Sequence, residues 1–119
     1  MVRYADIEVG RRFLTGALGF EERAVHRDAA GAVERVDLGV GLFGRVTIGP
    51  AAGTAPVGTA RRRFTVGGHQ VAALLERARA AGATIVSVVT DDIFGDCAFT
   101  AEDPEGNRWT ITGVVALTG

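Results

Sequence analysis

The stretch "AEDPEGNRWTI", residues 101–111, decides between a catalytic acidic cluster and a connection between two strands. Asp103-Pro104-Glu105-Gly106 matches a type I turn position by position: Asp is favoured first, Pro fixes φ at the second place, and Gly is tolerated last. The flanks alternate apolar and polar residues as strands do. A paired-carboxylate acid/base site needs two carboxyls aimed at a common pocket, and a turn tip splays them apart. The expectation is therefore a hairpin whose Asp103 and Glu105 lie at the tip, in water.

Working outward, "RWTITG" at 108–113 has a counterpart in "RVTIG" at 45–49. Each closes a similar series. Before the first lie a short β-leaning "MVRYA" and a helix opened by Asp6 as N-cap, with Ile7, Phe13, Leu14 and Leu18 on one face and Gly19 as its stop. The strands "FEERAVHRD", "VERVDLGV" and "GLFGRVTIG" follow. Before the second lie the strand "RRFTV" and the helix "HQVAALLERARAAG", with Val71, Leu74, Leu75 and Ala78 on one face and Gly82 at its end. The strands "ATIVSVV", "DCAFTAE" and "NRWTITGV" follow. "PAAGTAPVGTA" between the halves breaks every pattern and reads as a linker. The chain is read as one α+β domain over residues 1–119. It holds two copies of a βαβββ unit: module 1 at about 1–49, a linker at about 50–60, and module 2 at about 61–119.

Composition excludes several classes. With 119 residues, roughly two-thirds of the unfolded surface can be buried, so a core forms without staples. A net charge of -1 gives no global basic field, so no nucleic-acid partner is expected. All 13 basic residues are arginine. The single cysteine, Cys97, excludes an internal disulfide and fits a reducing compartment. The charged N-terminus does not read as a signal peptide, and no apolar run reaches the roughly 20 residues of a membrane span. No membrane partner is expected, and the expected location is cytoplasmic.

"DPEGNRW" after a strand, "LERARAAGA" before one, and "YADIEVGRRFLTGALGFEER" at the front together resemble the vicinal oxygen chelate superfamily. That family includes glyoxalase I, bleomycin-resistance proteins and extradiol dioxygenases. The resemblance covers nearly the whole chain. It implies paired βαβββ modules curved into a cup-shaped mixed sheet around a ligand pocket, with helices on the outer face. It also implies a homodimer, because the family commonly pairs modules across subunits. Enzymes of the family hold a divalent metal with four His, Glu or Gln side chains, two per module. The position on the last strand, seven residues after the turn Asp, is Thr110 here. Its counterpart in module 1 is Thr47, and the position on the first strand of module 2 falls near Arg63. The one on the very first strand would fall before Met1. Neutral hydroxyls are poor ligands and Arg keeps its proton, so no metal or other cofactor is expected.

Strand parity places the candidate ligand-binding residues. If Thr47 and Thr110 face the cup, so do Arg3, Arg45, Arg63, Thr65, Arg108 and Thr112. Val46, Ile48, Phe64, Val66, Trp109 and Ile111 then face the helices. A basic, hydroxyl-rich lining of this kind suits an anionic ligand. His26, on a strand among charges, reads as a surface residue. His69, at a helix start, reads as a capping or surface residue and as a candidate base at a pocket rim. Cys97 reads as a small buried hydrophobe. "GVGLFG" has closely spaced glycines with no helix after them, hence a turn or bulge rather than a phosphate loop. No catalytic residue is assigned. The reading is a metal-free small-molecule binding protein. The alternatives are a lyase, isomerase or dioxygenase with relocated metal ligands, and a dimeric interaction subunit with a vestigial pocket.

Overall fold

The computed structural model describes residues 1–41, 44–91 and 96–114. The elements run β1 (Val2–Tyr4), α1 (Ile7–Arg12), β2 (Glu21–Arg27), β3 (Val33–Val40), β4 (Gly44–Pro50), β5 (Arg61–Gly67), α2 (Gly68–Ala80), β6 (Thr84–Asp91), β7 (Asp96–Glu102) and β8 (Arg108–Val114). Asp6 caps α1 by accepting from Glu8 N, as its residue type predicts. The helix does not stop at Arg12 but widens into a π-helical turn over Phe13–Ala17, which the sequence pattern did not reveal. Part of "GVGLFG" lies outside the described residues, as does the Cys97 side chain.

The strands form two four-stranded sheets, ordered β1-β4-β3-β2 and β5-β8-β7-β6. In each, the module's first strand runs parallel to its last, and the other neighbours are antiparallel. β4 and β8 thus occupy equivalent places, as the "RVTIG"/"RWTITG" match requires. The molecule measures 54 × 26 × 25 Å. Both sheets turn their apolar faces to a shared core with the helices: Val46, Ile48, Phe64, Val66, Trp109 and Ile111 are all buried in it. Phe20, which follows the π turn, sits edge-on to Phe64 and Trp109 of module 2, with ring centroids 5.3 and 6.2 Å away.

The turn at 103–106 forms as expected, with Gly106 N donating to Asp103 O at 3.0 Å. Its solvation does not. Asp103 is only 3 % exposed. Its Oδ2 accepts from the Tyr4 hydroxyl at 2.6 Å, Trp109 Nε1 at 3.1 Å and Asn107 Nδ2 at 3.1 Å. Its Oδ1 accepts from the backbone N–H groups of Glu105 and Asn107. A buried carboxylate survives only with such saturation. Burial, then the Asp103 hydrogen bond and charge, push the Tyr4 phenol up, so Tyr4 stays protonated and keeps donating. Gly10 makes room for that ring: a β-carbon there would lie 2.6 Å from Tyr4 Cε2.

Glu105 is not solvated at a tip either. Its carboxylate accepts from Ala5 N at 2.7 Å and Asp6 N at 2.9 Å, at the entrance to α1. The acidic cluster therefore disperses: Asp103 goes to the core, Glu105 to the first helix, and Glu102 to an ion pair with Arg108 at 3.1 Å.

Candidate functional site

The faces of the sheets opposite the core carry the polar side chains. On β4, Val46 and Ile48 are buried while Arg45 is exposed and Thr47 half-buried. On β5, Phe64 and Val66 are buried while Arg63 and Thr65 are exposed. On β8, Trp109 and Ile111 alternate with the half-buried Arg108, Thr110 and Thr112. Register then fixes neighbours. Thr47 lies opposite Asp37, Thr110 opposite Thr100 and Arg63, and Thr112 opposite Thr65. Arg3 lies opposite Gly49 on the same face as Thr47, and its Nη1 donates to Pro50 O at 3.0 Å. All eight candidate residues thus line the polar face, three on the sheet of module 1 and five on that of module 2.

The charges are less uniform than parity alone suggested. Arg108 is paired with Glu102, its direct neighbour in register. Arg3, Arg45 and Arg63 have no acidic partner among the described residues. Module 1 also carries a polar group that the sequence reading did not assemble. Asp37 Oδ1 accepts from Thr47 Oγ1 at 3.0 Å, Asp37 Oδ2 meets His26 Nε2 at 3.1 Å, and Arg35 Nε lies 3.5 Å from Asp37. Partial desolvation raises the Asp37 carboxyl, but the Thr47 and His26 hydrogen bonds and the Arg35 charge outweigh it and hold the carboxyl below its ordinary value. Parity on β3, where Val36 and Leu38 are core, could have placed Asp37 on this face.

The part-buried hydroxyls of this face are already engaged, with one exception. Thr110 and Thr100 share a hydrogen bond of 2.8 Å. Thr112 Oγ1 is the exception, shielded from solvent without a partner among the described residues. Along the free edge of β5 runs a groove of about 740 Å³ that Arg63, Thr65, Val66, His69 and Gln70 line together with Gly41 and Gly44 of module 1.

Modules of this order and pairing agree with a known family, whose model matches residues 1–111. The chain belongs to the Glyoxalase/Bleomycin resistance protein/Dioxygenase superfamily. Several solved structures of this superfamily's fold are similar to it. TioX from Micromonospora sp. ML1 superposes with a TM-score of 0.76 at 23 % identity, over 94 % of this chain and 93 % of that one. A glyoxalase/bleomycin resistance protein from Streptomyces sp. CB03234 gives 0.74 at 19 % identity, over 92 % and 93 %. The fosfomycin resistance protein FosX from Mesorhizobium loti gives 0.65 at 15 % identity, over 98 % and 89 %. At these identities the likeness concerns the fold. No curated protein matches the chain.

Within the superfamily fold, the metal positions can be tested on register. Val2 pairs with Ile48 as Phe64 pairs with Ile111, so the position matching Arg63 is Met1. This corrects the expectation that it precedes the chain. The donor set is then Met1, Thr47, Arg63 and Thr110. A thioether is soft, a guanidinium is cationic, and each hydroxyl is committed to a neighbour. These residues do not fit a divalent cation. Among the described residues, no group of three or more His, Cys, Asp or Glu converges elsewhere. No helix is long and apolar enough to cross a membrane.

Proposed function

We propose that this chain is a metal-free binding protein for a small organic anion, working as a cytoplasmic homodimer rather than as an enzyme. The observation that carries the reading is the chemistry at the superfamily's metal positions, where Thr47, Arg63 and Thr110 stand. The same substitutions that remove metal donors leave guanidinium groups on the polar face. Arg63 and Arg45 repel like charge and grip planar oxyanions through paired hydrogen bonds. The dimer is supported by strand edges. Among the described residues, β1, β2, β5 and β6 each have one unpaired side, and β6 exposes Val86, Val88 and Val89 at 40, 48 and 60 %.

Three measurements test this reading. Elemental analysis after dialysis with zinc, nickel and manganese is expected to find no stoichiometric metal; about one per chain returns the protein to the metal-dependent lyases, isomerases or dioxygenases. Light scattering is expected to give twice 12.4 kDa. A thermal-shift screen of matched acids, amides and amines is expected to favour acids. A flat screen would support a vestigial pocket and a purely structural dimer.

A further inference from the structure

The outer strand of module 2 carries a row that extends past its last strand residue. Arg63 and Thr65 are exposed on the polar face of β5, and parity puts Gly67 next on that face. Gly67 has no side chain to offer, but the place is filled. A β-carbon built there would lie 2.8 Å from His69 Cε1 and 3.1 Å from Nδ1. The imidazole of His69, from the first turn of α2, therefore lies over Gly67 and continues the row. His69 also lines the same groove as Arg63 and Thr65. Thr112, opposite Thr65 in register, brings the hydroxyl that lacks a partner to the middle of the row.

From this geometry we infer that His69 is a ligand contact, and that the row Arg63–Thr65–His69 selects an elongated anion bearing a second polar end. The inference rests on the anion-binding reading above and adds the ligand's shape to it. Arg63 grips the anionic head. The imidazole offers an N–H to an acceptor at the far end in either tautomer. Thr65 and Thr112 lie between and serve polar groups or a bound water. The four-residue step from Arg63 to Gly67 spans about 13 Å of extended strand, so a short anion cannot reach both ends.

The test uses linear dicarboxylates (malonate, adipate, suberate), the monocarboxylates hexanoate and octanoate, and hexylamine, read by thermal shift on the full chain. Adipate or suberate is expected to stabilise the protein more than the monoacid of equal length, by an excess equivalent to about two- to ten-fold tighter binding, while malonate shows no such excess. His69→Ala is expected to lose the excess and keep the monoacid shift. Gly67→Ala retains the imidazole but displaces it. Its backbone, at φ -60° and ψ 138°, accepts alanine without strain, so it is expected to reproduce the loss in a folded protein. Equal shifts for diacids and monoacids, or an excess that survives both substitutions, overturn the inference and leave the anion reading standing. If acids fail to stabilise at all, or only the amine does, the anion reading falls and the inference with it.

Discussion

Module 1 and module 2 share one strand order, yet they are not equal partners. Module 2 holds module 1 in place. Its Asp103 accepts from Tyr4 of β1, and its Glu105 caps the backbone before α1. Its Arg77 donates to Gly16 O and Thr15 O at the end of the π turn, both at 2.9 Å. Module 2's own helix is the longer, 13 residues against six plus the five of the π turn, and its sheet has the only buried side-chain hydroxyl left without a partner among the described residues. The polar faces differ in the same sense. In module 1 the face carries the acidic Asp37, held by Thr47, His26 and Arg35, while Arg3 and Arg45 stand without an acidic partner among the described residues; at the corresponding place module 2 has the neutral Thr100, and there Arg63 stands without one. A repeated fold can thus divide its labour: one copy leans, and the other clamps.

The comparison breaks most visibly at Asp103. Asp103→Ala strands the Tyr4 hydroxyl, Trp109 Nε1 and the Asn107 amide in the core, at about 1–3 kcal/mol for each unpaired donor before relaxation. The expected loss is about 3–5 kcal/mol in a urea titration, enough to unfold a marginal domain. Asp37→Ala is the control from the other module. Its carboxylate is 34 % exposed in an ion-pair cluster, so its loss is expected to cost less than about 1 kcal/mol. Equal costs would mean that the modules are not clamped through Asp103.

Binding separates the two polar faces next. Arg63→Ala is expected to weaken a stabilising acid by about ten- to a hundred-fold, the loss of one charged hydrogen-bonding group. Arg45→Ala on module 1 is expected to weaken it less, and Arg79→Ala on the outer helix, where Arg79 pairs with Glu76, not at all. Isothermal titration of the three variants ranks them. A larger loss at Arg45 would move the ligand to module 1.

A smaller effect tests the clamp at α1. Glu105→Ala removes the acceptor for Ala5 N and Asp6 N, a loss comparable to that of a helix cap, about 1 kcal/mol. Because Glu105 belongs to module 2, amide exchange is expected to rise at the start of α1 while β5 to β8 stay protected.

Much of this was legible from short-range pattern. Strand parity placed all eight candidate residues on the polar face, and residue types set the Asp6 cap and the turn at 103–106. What was not legible depends on pairs far apart in sequence. The turn residues announce a turn, but nothing near Asp103 says that Tyr4, 99 positions away, will bury it. Glycine before a helix reads as a break, and only the folded chain shows His69 lying across Gly67. Parity put Arg108 on the polar face but not its ion pair, because the register that sets Glu102 of β7 opposite Arg108 of β8 is not visible in either strand alone.

The smallest expected effect concerns what module 1 does for itself. Arg11 of α1 meets Glu22 of β2, Nε to Oε1 at 2.7 Å, with the carboxylate 29 % exposed. The Arg11 hydrogen bond, against a smaller opposing effect of burial, holds the Glu22 carboxyl below its ordinary value. A depressed carboxyl stabilises the fold above the unfolded value, about 4.3, and loses that contribution as pH falls through the lower folded value. Glu22→Gln is therefore expected to cost a few tenths of a kcal/mol at neutral pH, and progressively less below about pH 4. Denaturation of both proteins from pH 7 to pH 3 gives the difference. A cost near that of Asp103→Ala would mean that module 1 is held by its own surface pair. A cost within a few tenths leaves the buried Asp103, across the modules, as the contact on which the first half of the chain depends.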